Sequence, residues 1–165
     1  MRFEKCTLQE AMRAYADIYK KIPDCRTTKD KLDALTLPQR STEGSAGYDF
    51  RSPFDCRLNV GDTIAIPLYV KAVDMPEDVV LLIYNRSGTS LKKGLRIDNA
   101  VGVIDSDFER CIVFQATATR PIEIKFNDRI CQGIFHYVAF VDGDGPKSKK
   151  KGKKRVGGIG STGEE

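Results

Sequence analysis

Val79-Val80-Leu81-Leu82-Ile83-Tyr84-Asn85-Arg86-Ser87-Gly88 is the stretch on which the fold turns. Six apolar residues, the longest such run in the chain, give way at once to small and polar ones. The run is far shorter than the ~20 residues needed to cross a bilayer, and its turn-forming boundary reads as the end of a buried strand over 79–84. Comparable runs, rich in Val, Ile, Tyr and Phe, lie on both sides at 46–51, 62–71, 100–105, 111–117, 121–126 and 129–140. Asn59-Val60-Gly61-Asp62 and Phe126-Asn127-Asp128 mark turns between them. No helix-length pattern separates these strands, which disfavours a parallel α/β sheet. Many short strands at this pitch predict an all-β sandwich, jelly roll or barrel.

The flanks differ from this centre. In residues 1–35, Thr7 and Glu10 stand at the spacing of a capping box. Ala11, Met12, Tyr15, Ile18, Tyr19 and Ile22 then recur every three or four residues, which predicts an amphipathic helix over 8–21, stopped by Pro23. The domain organisation expected is a helical extension over 1–35, a β domain over 36–141 and a Lys/Gly-rich arm over 142–165. With hardly any apolar residue, that arm cannot bury enough surface to offset its ordering entropy, so it is expected to be flexible in the free protein.

Composition narrows the classes. With 165 residues, 41% apolar and 30% charged, the chain fits one globular domain with short appendages. The net charge of +4 belongs to Lys147, Lys149, Lys150, Lys151, Lys153, Lys154 and Arg155; without them the chain is slightly acidic. No aromatic residue is interleaved with that run, so it reads as a solvated spacer rather than a nucleic-acid site. The N-terminus lacks the apolar segment of a signal peptide, which points to a cytoplasmic or nuclear protein without a membrane partner. Five cysteines without a C-x-x-C pair, and one His, argue against a zinc site. Cys111 and Cys131 sit in apolar runs and read as small buried hydrophobes.

Candidate chemistry gathers in small, polar segments between strands. Arg86-Ser87-Gly88 offers a guanidinium fork, a hydroxyl and an open backbone, a combination suited to phosphate or, equally, to a capped turn with a surface Arg. Asp105 ends the apolar run Ala100 to Ile104; such a carboxylate is a candidate general base, or the cap of the next turn. Asp107 competes with it on local grounds. Asn99 has the paired donor and acceptor to read a base edge, and equally suits an Asx turn. Gly157 to Gly163 reads either as a disordered tail or as a segment able to wrap a polyphosphate through its backbone N–H groups.

Taken in order, five segments resemble the motifs of the homotrimeric dUTPases. They are Leu37 to Asp49, Arg86-Ser87-Gly88, Asn99 to Phe108, Arg129-Ile130-Cys131-Gln132 and Gly157 to Gly163. The third is the most specific, with Asn99, Gly102 and Ile104-Asp105 in register. The resemblance spans about residues 36–163 and implies a β jelly roll that trimerises and hydrolyses dUTP to dUMP and pyrophosphate, with Mg²⁺ as cofactor. It implies Asp105 as the carboxylate that activates water against the α-phosphorus. Arg86, Ser87 and Gly88 would hold phosphates, and Gln132 the α-phosphate or the water. Asp49 would hold Mg²⁺ through a water. Asn99, with Gly102, Val103 and Ile104, would read uracil, and Phe108 would lie under the deoxyribose. Arg155, Ile159, Gly160, Ser161 and Thr162 would close over the nucleotide.

Departures from the family pattern are specific. Phe108 stands in place of Tyr, Arg110 in place of a Gly whose loss implies an altered turn, and Asn85 in place of Pro. Ile159 takes the place of a stacking Phe, and either Lys154 or Arg155 fits the phosphate-binding position. A weaker lid follows from these last changes. Other readings of the same chain are a dUTPase-like regulatory or protein-binding module docking through the N-terminal helix, and a dCTP deaminase of the same fold, which the Gly-x-Ile-Asp hairpin fits poorly.

Overall fold

The structure, a computed structural model, describes residues 1–141. β1 (Arg2–Lys5) leads into α1 (Leu8–Tyr19) and α2 (Cys25–Ala34). There follow β2 (Gln39–Arg40), β3 (Tyr48–Arg51), β4 (Cys56–Leu58), β5 (Thr63–Pro67), β6 (Val70–Val73) and β7 (Val79–Asn85). A π-helical turn (Gly88–Lys92) then precedes β8 (Leu95–Ile97), β9 (Gly102–Ile104), β10 (Val113–Ala118), β11 (Ile122–Ile124) and β12 (Arg129–Tyr137).

All strand pairs among the described residues are antiparallel. One sheet runs β2-β3-β12-β7-β9 and a second β5-β10-β8, with β1-β6 and β11-β4 as two-stranded ribbons. Phe50, Leu81, Ile83 and Cys131 from the first sheet share one buried cluster with Ile66, Leu95, Phe114 and Ala116 from the second. The expected β-sandwich is therefore present, with its core between the two larger sheets. Gly133 on β12 leaves room for its neighbours on the core face of the same sheet: a Cβ there would lie 2.7 Å from the Phe50 ring and 2.9 Å from Leu81.

Several boundaries differ from the sequence reading, each for a local reason. The strand expected over 62–71 is two strands, because Pro67 has no N–H to donate and Tyr69 takes a φ of 57°. The strand expected from 100 starts at Gly102: Ala100 takes a φ of 59°, and the Val101 N–H turns back to the Asn99 carbonyl at 2.6 Å. β12 stops at Tyr137 rather than 140. Arg110, where an altered turn was expected, is not among the residues with positive φ; in this hairpin Ala100 is.

The N-terminal stretch is joined to the sheets. β1 pairs with β6 along Arg2 to Lys5, and the Phe3 ring lies 5.2 Å from that of Phe50. The Thr7–Glu10 capping box is formed, with the Thr7 N–H donating to Glu10 at 2.7 Å and the Glu10 N–H to Thr7 at 3.2 Å. α1 ends at Tyr19, before Pro23, because Lys20 turns left-handed (φ 53°) and its N–H donates to the Ala16 carbonyl. Two contacts fasten the helix, one to the β1-β6 ribbon and one to the second sheet. Lys71 pairs with Glu10 at 3.0 Å, and the Tyr19 hydroxyl donates to the Ala65 carbonyl at 2.7 Å. Burial, with smaller contributions from Tyr15 and Cys56, pushes the Tyr19 phenol up to about 12, so it remains a donor. No helix among the described residues is long and apolar enough to cross a membrane.

Candidate active site

Register decides which side chains meet on the outer face of the five-stranded sheet. Gln132 on β12 lies opposite Asp49 on β3 and Tyr84 on β7, so these three share a face. Arg86 lies two residues beyond Tyr84 and returns to that face. Between Arg129 and Cys131 the register slips at a bulge, which sets Arg129 opposite Arg51 and hence on the Asp49 side as well. The alternate face, with Phe50, Cys131 and Ile83, is the core.

The product is a charge cluster around Asp49, whose side chain is only 9% exposed. The Arg86 Nε donates to Asp49 Oδ1 at 2.5 Å and its Nη2 to Oδ2 at 3.4 Å. Arg129 donates to Oδ2 at 3.1 Å and Ser41 at 2.9 Å. Burial alone would raise the Asp49 carboxyl, but the Ser41 and Arg86 hydrogen bonds and the Arg86 charge outweigh it and hold the group below the usual carboxylate range. Arg86 is steadied further by Nη1 contacts to Thr89 (3.5 Å) and to the Arg129 carbonyl (3.3 Å). It therefore faces any ligand already oriented, above the exposed Ser87 and a Gly88 whose Cα has nothing within 4 Å on its Cβ side.

Gln132 is positioned from the same strands. Its Nε2 donates to the Asn85 carbonyl at 2.8 Å, and the Asn85 side chain accepts from the Ile97 N–H at 2.9 Å. Asn85, where the family has Pro, thus ties the end of β7 to β8. Gly47 leaves room for this side chain: a Cβ there would lie 2.5 Å from the Gln132 Oε1 and push the amide aside.

A second group forms a cleft of about 1110 Å³ beside β9. Asn99, Gly102, Val103, Ile104 and Phe108, which fall together in the third motif, are among the residues that line it. Phe108 is half-buried against the core and offers a ring, while Asn99 is exposed at a tight turn. Asp105 follows β9 directly and is exposed, and its carbonyl accepts from the Phe108 N–H at 3.0 Å.

The two groups lie apart within one chain. β9 pairs with the first half of β7, Ile104 opposite Leu81, whereas Arg86 lies past the other end of β7. At the usual strand rise, Leu81 and Arg86 are separated by about 17 Å. Asp105 and Arg86 therefore occupy opposite ends of the strand. Arg155, Ile159, Gly160, Ser161 and Thr162 lie outside the described residues.

Asp49 does not fit the metal role that the resemblance implied. A carboxylate has about four acceptor sites, and Ser41, Arg129 and two nitrogens of Arg86 occupy them here. Among the described residues no group of three or more His, Cys, Asp or Glu could hold a metal. Ser41, Thr89 and Arg129 were the partners that sequence reasoning left without a role. Ser41 and Arg129 fall inside the first and fourth motifs, but only the β12 bulge reveals that Arg129 turns toward Asp49.

A family model described as dUTPase matches residues 33–163. A protein named deoxyuridine 5'-triphosphate nucleotidohydrolase from Lactococcus lactis is 35% identical over 144 residues, covering 82% of this chain and 93% of that one. The crystal structure of a dUTPase from Streptococcus mutans, 30% identical, superposes with a TM-score of 0.58 over 67% of this chain and 94% of that one. A mutant dUTPase from phage phi11 of S. aureus, described with a structural Mg(II) ion, shares the fold at 19% identity and a TM-score of 0.61, over 70% and 92% of the respective chains. Matched along most of its length and carrying its five motifs in order, the chain belongs to the dUTPase family.

Proposed function

We propose that this protein hydrolyses dUTP to dUMP and pyrophosphate and does so as a homotrimer. The observation that carries this reading is a pair of half-sites toward opposite ends of β7: a cleft lined by Asn99 and Phe108, and an Arg86-Ser87-Gly88 element fixed by Asp49. Within a chain they lie too far apart to hold one nucleotide's reacting phosphate, so a second copy supplies the missing half. Closed cyclic symmetry then gives equivalent sites at each interface.

In this site Asn99 and the backbone of Gly102, Val103 and Ile104 pair with the uracil edge. Phe108 packs on the deoxyribose where a 2′-hydroxyl would clash. Arg86, Ser87 and Gly88 bind phosphate oxygens, and Gln132 places the α-phosphate or the attacking water. Asp105 accepts a proton from that water as its oxygen bonds to the α-phosphorus. The bond from the α-phosphorus to the bridging oxygen breaks, and pyrophosphate leaves. Positioning and charge stabilisation carry most of such a reaction. Arg155 and the segment Ile159 to Thr162 are assigned to the closing arm. Mg²⁺, a companion of polyphosphates, is assigned to the triphosphate rather than to Asp49, and no step depends on it.

Uracil and cytosine differ by one exchanged donor and acceptor, and a fixed edge rejects the mismatch because buried polar groups are left unpaired. The full-length protein is therefore expected to release pyrophosphate from dUTP and from none of UTP, dCTP or dTTP, with Mg²⁺ present, and to sediment as three chains. Ammonia release from dCTP, or no pyrophosphate from dUTP, would overturn the assignment.

A further inference from the structure

The nucleoside cleft has a wall that the family motifs do not supply. Facing Asn99 and Phe108 across the cleft are Glu10, Arg13, Ala14, Asp17 and Ile18, all on α1. These residues precede the span 33–163 that the family model matches, so the wall lies outside the matched part of the chain. We propose that α1 is part of the substrate site, with Ala14 and Ile18 packing against the bound deoxynucleoside and Arg13 contacting the nucleotide as a specificity-determining residue. This rests on the dUTP reading given above.

Three observations support it. First, α1 is held at both ends. Near its N-terminus Glu10 pairs with Lys71, whose side chain is 14% exposed, and Tyr19 bonds the Ala65 carbonyl at the other end. Glu10 is kept ionised: burial opposes this, but the hydrogen bonds from Thr7 and Lys71 outweigh it and lower its carboxyl. A wall braced this way keeps its shape when the cleft fills, which reduces the cost of ordering on binding.

Second, size fits. Pockets for small ligands run to roughly 300–1,000 Å³, and the cleft that α1 helps to line, at about 1110 Å³, has room for a nucleotide.

Third, the chemistry of the wall is graded. Ala14 and Ile18 offer small apolar surface opposite the ring of Phe108. Arg13 and Asp17, one helical turn apart with Nε and Oδ2 at 3.9 Å, present a donor fork and an acceptor beside Asp98 and Arg110. The Arg13 side chain is 69% exposed, so its charge can swing onto a ligand without breaking a buried contact. A nucleotide, with an apolar-faced base and an anionic end, matches that order. A cleft meant for a neutral apolar ligand would not carry five charged side chains, Glu10, Arg13, Asp17, Asp98 and Arg110.

The test uses the full-length protein with two variants, Ala14→Trp and Arg13→Ala, read by steady-state kinetics on dUTP and by calorimetric titration with dUMP. Trp at position 14 fills the cleft, and the dUTP KM is expected to rise by at least about thirtyfold. Arg13→Ala is expected to raise KM about three- to tenfold with kcat within about twofold, the pattern of a contact made equally in the ground and transition states. Arg13→Ala removes only exposed atoms and folds whether or not the bulkier variant does. If Arg13→Ala, and Ala14→Trp where it folds, match the wild type in dUMP affinity and dUTP KM, α1 is not a wall of the site. If the wild type itself releases no pyrophosphate from dUTP while still binding dUMP, the proposed reaction fails and the wall stands as a nucleotide contact.

Discussion

Asp105→Asn is expected to slow pyrophosphate release from dUTP by a factor of about 10²–10⁴, with dUTP affinity changed only a few-fold. The substitution preserves the shape of the side chain and removes its capacity to accept a proton. Asp105 stands exposed just past β9, in the turn that leads to Phe108, whose N–H donates to the Asp105 carbonyl. A base at that point lies near the α-phosphate of a nucleoside seated between Asn99 and Phe108, because only the sugar separates the two. Single-turnover kinetics separate this from a binding defect. If the variant keeps more than about a tenth of the wild-type rate, a proton acceptor at position 105 is not needed and Asp107 becomes the candidate to test.

Asp49→Asn is expected to destabilise the fold by about 3–5 kcal/mol, since removing one partner of a buried ion pair leaves the other charge uncompensated. Here two guanidiniums depend on the carboxylate, and Asn cannot serve both. The Arg129 side chain is 46% exposed, so solvent screens its share and Arg86 carries the larger part. The variant should also bind dUTP more weakly, because Arg86 loses the charged, two-oxygen contact that orients it. The pH dependence follows from the lowered Asp49 carboxyl. Its stabilisation is fully present above the unfolded carboxyl value of about 3.9 and is lost as pH falls through the lower folded value. In urea titrations the wild type and Asp49→Asn should therefore differ most at neutral pH and converge in acid. A constant difference across that range would show that the carboxylate is not what holds the cluster.

Much of this architecture is written in local pattern. The run Val79 to Tyr84 reads as a strand because six apolar residues end in a polar turn, and β7 occupies that stretch as the centre of the pairing with β12 and β9. The capping box of α1 is equally legible, since Thr7 and Glu10 satisfy each other within one turn. What the sequence conceals is pairing at a distance. β1 is short and charged, and becomes a strand only because Val70 to Val73 lies alongside. β4 and β8 are three residues long and carry an exposed Arg each, too little for a period to show. α2 buries only Thr28 and Leu32, a stripe too narrow to stand out.

The same division holds at the site. Asn99, Gly102, Val103, Ile104 and Phe108 are contiguous in sequence and line one cleft. The partners of Asp49 come from three separate segments, and one of them is turned by a bulge that no local pattern announces. Asp49 thus reads as a metal contact in the linear motif and as the anchor of two arginines in three dimensions. α1 gave no sign in the sequence that it faces the nucleoside cleft, because its apolar stripe accounts for its packing and its polar residues for its solubility.

The central claim is that one nucleotide is served by Asp105 of one chain and Arg86 of another, and subunit mixing tests it most directly. Asp105→Asn and Arg86→Ala, each inactive alone, are unfolded together in equal amounts, refolded and assayed for pyrophosphate release from dUTP. If the sites are shared, random assembly restores about one quarter of the wild-type activity, because one site in four combines an intact Asp105 with an intact Arg86 across an interface. Mixed trimers that form and stay inactive would place both residues at the same chain's site and contradict the account.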